Sequence, residues 1–321
     1  MIFETAVTLT VAAVASALLP GLERKIQARI QNRYGPPITT PGLWNALKSY
    51  YKQSKTPDSP NPGLYHLTLL VGVGCTLAIL LITTPAWQDI LGFATILGIA
   101  GLLKIEEATY LFMGSLSRSM MSKTMPFPDT ITGAKKAGVR VFFEDIGTLR
   151  ALKMITFGSF PYYAALLVPF AAASSLNIKD VLAQAPAIYT VSGAIACFVY
   201  FMGYNIVINN RPFDIIKPKV DIIEGPYMEY IAGWRGLTYL MKGLITFVLS
   251  SVFVTLFLGV ALDISNPTTF ATHLILTLIL PAFAAILRAF SPVLTFKQIY
   301  PISYTLTLMG LLALILNILG A

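Results

Sequence analysis

Five carboxylates carry most of the chemistry this sequence can offer. Glu144 and Asp145 stand in Val-Arg-Val-Phe-Phe-Glu-Asp-Ile-Gly-Thr-Leu, and Asp221, Glu224 and Glu229 precede another long apolar run. An ionisable group at membrane depth costs about 2.5–3.5 kcal/mol, so such groups face water-filled cavities or one another and mark ion paths. Burial and like-charge neighbours move a carboxyl toward the range where protons are exchanged. On a single helix, 100° per residue would set Asp221, Glu224 and Glu229 within an arc of about 140°, although Gly225-Pro226 is expected to break that helix. The same acids fit equally well as solvated loop charges paired with Arg118, Arg140, Arg150, Arg211 and Arg235.

Other chemistries lack their residues. Cys75 and Cys197 lie in separate apolar runs, and His66 and His273 are isolated from them, so no metal-ligand spacing exists. There is no Cys-x-x-Cys, paired His, Gly-rich phosphate loop or Ser/His/Asp grouping. The chain is therefore expected to hold no cofactor, and any redox chemistry is assigned to partners.

The elements that must position the acids are membrane spans. The 321 residues are 55% hydrophobic and 12% charged, with mean hydropathy +0.70. A soluble domain carries roughly 25% charged residues, so a soluble fold is excluded. Apolar runs long enough to cross a bilayer predict eight helices near 2–22, 64–84, 88–104, 152–176, 187–208, 237–262, 270–291 and 299–320. The first lacks a basic leader and is followed by Glu23-Arg24-Lys25, so it reads as a retained span instead of a signal peptide. The expected fold is a single all-α, polytopic membrane domain over 1–321.

The net charge of +8 could suggest nucleic acid, but 22 of the 23 Lys and Arg fall in four clusters, Arg24 to Lys55, Lys104 to Lys153, Arg211 to Lys242, and Arg288 with Lys297. With eight spans all four lie on one side, which the positive-inside rule makes cytoplasmic. The reading is a multi-pass plasma-membrane protein with both termini outside, cytoplasmic loops at about 23–63, 104–151, 209–236 and 289–298, and no nucleic-acid partner. In the first loop Lys25, Arg29 and Arg33 recur at i, i+4 and i+8, and with Arg24 they form a basic stripe suited to anionic lipid or to a docking partner. Gly42 to Lys52 sets Leu43, Trp44, Leu47 and Tyr51 against Lys48 and Lys52, predicting an amphipathic helix at the cytoplasmic interface.

The run Glu23-Arg24-Lys25, then Gln31-Asn-Arg33-Tyr34-Gly35-Pro36, resembles the segment after the first span of the respiratory complex I subunit 1 family. Tyr110 to Arg118, and Asn210-Arg211-Pro212-Phe213-Asp214 with Asp221, Gly225, Glu229-Tyr230 and Arg235, resemble the same family in the same order. The resemblance implies a membrane anchor that joins a peripheral redox arm to an ion-pumping arm. It implies a proton path through Asp221 and Glu229, with Glu144 at the start of the fourth span, and a loop-organising role for Arg118, Arg211, Asp214 and Arg235.

Arg211-Pro212-Phe213-Asp214 is shorter than the Arg-Ala-Pro-Phe-Asp of the quinone-reducing branch, and Ile215-Ile216-Lys217-Pro218-Lys219 replaces its acid-rich continuation. These departures point to the related membrane-bound [NiFe]-hydrogenase complexes. The implied partners are hydrogenase large and small subunits, a ferredoxin-like subunit and antiporter-like membrane subunits, which would hold the Fe-S clusters and the [NiFe] centre. A quinone-reducing subunit, a sulfane reductase anchor and an independent secondary transporter are the alternatives.

Overall fold

The computed structural model describes residues 2–57, 59–88, 90, 92, 94–117, 143–216 and 224–319. Among these residues thirteen α-helices, joined by short π and 3-10 turns, form one helical bundle. Six of the described stretches are long and apolar enough to cross a membrane. These are α1 (Ile2–Ile30), α3 (Pro62–Thr83), the continuous stretch Glu144–Ala172, α10 (Ala232–Phe257), Pro267–Phe290 and α13 (Phe296–Ile318). Glu144–Ala172 combines α6 (Phe143–Lys153), a π turn and α7 (Phe160–Ala172), and Pro267–Phe290 combines α11 (Pro267–Thr277) and α12 (Ile279–Phe290). The shorter apolar α9 (Val191–Val207) and the charged α5 (Ile96–Leu116) complete the eight columns read from the sequence. The short α4 (Pro85–Gln88) and α8 (Ile178–Leu182) lie in the connections between them.

Local chemistry sets the helix starts. Asn61 accepts a hydrogen bond from Leu64 N (3.1 Å) with Pro62 at the first helical position of α3, and Thr95 and Thr190 cap α5 and α9 in the same way. A capping box of Thr295 and Gln298 starts α13.

Helix α10 is the axis of the bundle. Its most apolar window is 89% buried, against 28% in α1 and in α13, whose outer faces are left for lipid. α10 packs on α1, α3 and the short α2 (Asn45–Tyr50), while α7, α9 and α13 form a second group beside it. Close approach uses glycine. A Cβ on Gly243 of α10 would collide with the Ser16 backbone of α1, and one on Gly203 of α9 would lie 2.7 Å from Tyr162 N.

Three expectations shift in detail. The third span does not end near Lys104. It starts after Thr95 and continues to Leu116, carrying Lys104, Glu106 and Glu107 into the bundle, where Lys104 and Glu107 neutralise each other and Ser159 accepts from the ammonium. The first helix continues through the basic stripe to Ile30. The segment expected to be interfacial is a π turn at Thr40–Trp44 followed by α2, and Leu43, Trp44, Leu47 and Tyr51 are exposed on it.

Candidate functional site

Where α1, α5, α9 and α10 meet the turns between spans, they enclose a cavity of about 540 Å³. α5 contributes Glu106, Glu107 and Tyr110, α1 contributes Arg24, and the segment after α9 contributes Asn209, Arg211 and Asp214. The 3-10 turn at Gly225–Tyr227 and the start of α10 add Glu224, Tyr227, Arg235 and Lys242, and α12 adds Arg288.

Buried charge here is arranged in pairs, as it must be to persist away from water. Glu107 is 8% exposed, and its carboxylate lies 2.7 Å from Lys104 Nζ. The same ammonium donates to Ser159 Oγ (2.8 Å) and to Ile155 O (3.2 Å) across the α6–α7 junction, and it sits 4.5 Å over the Tyr163 ring. Glu23, 4% exposed on α1, has Arg288 Nη1 at 3.8 Å from a helix far along the chain. Glu224 forms an ion pair with Arg235, whose guanidinium also donates to Tyr227 O (3.1 Å) and stacks over Tyr239.

Beside the cavity lies an aromatic cluster. Tyr65 and Tyr230 stack at 4.2 Å, Tyr65 donates to Pro226 O (2.6 Å), and Tyr230 donates to Tyr65 O (2.7 Å). His66 stacks on Trp234 at 4.1 Å. Burial pushes the phenols of Tyr227 and Tyr230 up from their ordinary value, with the nearby Glu106 charge adding to the effect at Tyr227.

The acids singled out from sequence divide. Glu224 lines the cavity, held in a left-handed backbone conformation at φ 70°. Residues 225–227 form a 3-10 turn, so the acidic helical face does not form across Glu224 and Glu229. Glu144 is fully buried in the first turn of α6 with Asp145 beside it, and Glu229 is half-buried near Tyr65; none of these three lines the cavity. Asp221 and Arg118 lie outside the described residues.

Among the basic and loop residues, Arg24, Arg211, Asp214 and Arg235 come together around the cavity. Lys25 and Arg29 instead flank the exposed Tyr34 ring at 4.4 and 5.2 Å, and Arg33 bonds Gln31 at the same outer edge. The sequence reading did not single out Glu23, Lys104, Glu106, Glu107, Lys242 or Arg288 as site residues. Only Lys104 and Glu107 left a local signal, an opposite-charge pair at i, i+3; the Glu23–Arg288 pair is created by tertiary packing alone.

A family model described as NADH dehydrogenase matches residues 3–124 and 141–319. An uncharacterized protein of Methanocaldococcus jannaschii is 44% identical over 306 residues, 95% of this chain and 94% of that one. One of the NADH-quinone oxidoreductase subunits of Dehalococcoides mccartyi is 24% identical over 77% of this chain and 65% of its own length. In fold, the chain is similar to a chain of an archaeal respiratory membrane complex, the membrane-bound sulfane sulfur reductase. The TM-score is 0.80 at 20% identity, covering 98% of this chain and 99% of that one.

Proposed function

The chain belongs to the NADH dehydrogenase family, and from that premise we propose that it is the non-catalytic membrane anchor of a complex I-related, ion-pumping hydrogenase. In this reading it holds the peripheral redox arm of a ferredoxin-dependent, hydrogen-evolving complex at the cytoplasmic face and links it to antiporter-like subunits in the plasma membrane. Both termini lie outside. The observation that carries the proposal is the charged cavity beneath the loop side of the bundle, where Glu106, Glu107, Asp214 and Glu224 are held among arginines and lysines.

Coupling of this kind is electrostatic. One charge moved at 10 Å in an effective dielectric of about 20 is worth roughly 1.7 kcal/mol, just over one pKa unit. A change of charge at a partner's cluster would move a proton among the cavity acids, with Glu144, Asp145, Asp221 and Glu229 extending the path beyond the cavity. Arg24, Lys25, Arg29 and Arg33 form the rim on which the redox arm docks.

A second reading, the anchor of a sulfane reductase, is favoured by the shape match to that complex over nearly the whole chain. Nickel in the purified complex separates the two, since only the hydrogenase reading expects it.

The coupling role is tested with Glu107→Gln in the assembled complex reconstituted into vesicles. We expect assembly to survive and ion transport per turnover to fall at least roughly tenfold, the effect of about 1.4 kcal/mol on one step. Wild-type transport by the assembled variant would remove Glu107 from the path.

A further inference from the structure

From Arg24 to Pro57 the chain carries seven Lys and Arg and no acidic residue. Within this stretch the π turn at Thr40–Trp44 and α2 turn one side outward. Leu43, Trp44, Leu47 and Tyr51 are exposed there, Trp44 by 57%, and Lys48 and Lys52 are exposed with them. The other side is taken up by the protein. Asn45 borders the cavity and donates to Pro41 O (2.9 Å), and Ser49 is buried.

Backbone contacts fix the depth of this segment. A Cβ on Gly42 would collide with Ala17 O of α1, and one on Gly21 would collide with Ile38 O. Ala17 stands in the uncharged run from Thr5 to Leu22, six residues before Glu23. At a rise of 1.5 Å per residue that is about 9 Å into the apolar part of α1. Ala46 lies nearer the charged end. A Cβ on Gly236 of α10 would be 2.9 Å from Ala46 O, and Gly236 directly follows Arg235. Gly243, which meets Ser16 of α1, is about 10 Å deeper along the same helix. The segment therefore climbs from apolar depth at Gly42 to the level of the charges at Ala46, and Lys48 and Lys52 come after it.

Exposed aliphatic and aromatic side chains at apolar depth, followed by lysines, fit the boundary between acyl chains and headgroups. No acid of the same stretch can neutralise those lysines, and a lipid phosphate has the complementary charge. Lys48 and Lys52 stand four residues apart, a spacing that lets two side chains reach one group.

We propose that Lys48 and Lys52 hold the phosphate of one anionic phospholipid whose acyl chains lie against Leu43, Trp44 and Leu47. The site stands whether or not the chain serves a redox complex.

Quenching of tryptophan fluorescence by brominated lipid tests this. The purified full-length chain is placed in phosphatidylcholine nanodiscs, and brominated phosphatidylglycerol or brominated phosphatidylcholine is titrated in. The Trp44 signal is the difference between wild type and Trp44→Phe, since Trp87 and Trp234 remain in both. Two lysines at headgroup level favour an anionic lipid roughly tenfold. We therefore expect half-maximal quenching of Trp44 at roughly one tenth of the mole fraction of phosphatidylglycerol that phosphatidylcholine requires. Lys48→Gln combined with Lys52→Gln should bring the two lipids within about twofold of each other while both still quench Trp44. Equal quenching by the two lipids in wild type, meaning that Trp44 meets bulk lipid only, would overturn the proposal. So would an unquenched Trp44, meaning that the face does not meet lipid, or a preference that survives loss of both lysines.

Discussion

Replacing Lys104 by Met should damage the fold more than replacing its partner Glu107 by Gln. The 2.7 Å separation of the charges corresponds to an upper bound of about 6 kcal/mol at an effective dielectric of 20. The lysine side chain is 41% exposed, so solvent screens much of that. Breaking a fully buried pair costs about 3–5 kcal/mol, and after the discount we expect roughly 2–3 kcal/mol for Lys104→Met. The cost arises because Glu107, with a side chain 9% exposed, is left as a carboxylate without a cation. Glu107→Gln leaves Lys104 with Ser159, Ile155 O and solvent, so its cost should stay below about 1 kcal/mol. Equilibrium unfolding in mixed micelles measures all three variants, and the double variant should be close to Glu107→Gln alone, with a coupling of about 2 kcal/mol. Equal costs for the two single variants, or strictly additive ones, would refute this account of how charge is carried into the bundle.

Reversal of Arg29 and Arg33 to Glu together should release the peripheral arm from membranes while the chain itself remains inserted; an arm still bound after the reversal would move the docking surface elsewhere. The phenols of Tyr227 and Tyr230 are held neutral by burial. A group whose folded pKa is raised contributes stability that is complete below its unfolded value, near 10 for tyrosine, and is lost as pH rises from there toward the folded value. Native Tyr227 and Tyr230 should therefore resist ionisation above pH 10 while the protein loses stability. Comparing the ultraviolet phenolate signal of wild type with that of Tyr230→Phe tests this, and early ionisation of Tyr230 would contradict it.

The long features were legible in the sequence and the short-range pairings were not. Six helices long and apolar enough to cross a membrane, with the shorter apolar α9, follow from hydropathy because a bilayer permits few alternatives to a helix. Gly42 to Lys52 announced a short helix with exposed aromatic and aliphatic side chains because these residues alternate with lysine at helical spacing. The same hydropathy reasoning ended the third span too early, because a window sees Lys104 as a charge and cannot see Glu107 and Ser159 cancel its cost. Glu106 and Glu107 were read as loop residues for that reason, yet they line the cavity that brings Arg24, Arg211, Asp214 and Arg235 together. Glu23 and Arg288 meet only because α1 packs on α12. The break expected at Gly225-Pro226 is the 3-10 turn at Gly225–Tyr227, so Glu224 and Glu229 do not share a helical face.

The central claim, that this chain is the coupling anchor of a redox complex, is tested most directly by purifying it from native membranes in mild detergent and identifying its companions by mass spectrometry and metal analysis. The account predicts iron-sulfur and hydrogenase-like subunits, with iron and nickel in the preparation. An isolated chain, free of metal and partners, would contradict it and favour an independent transporter.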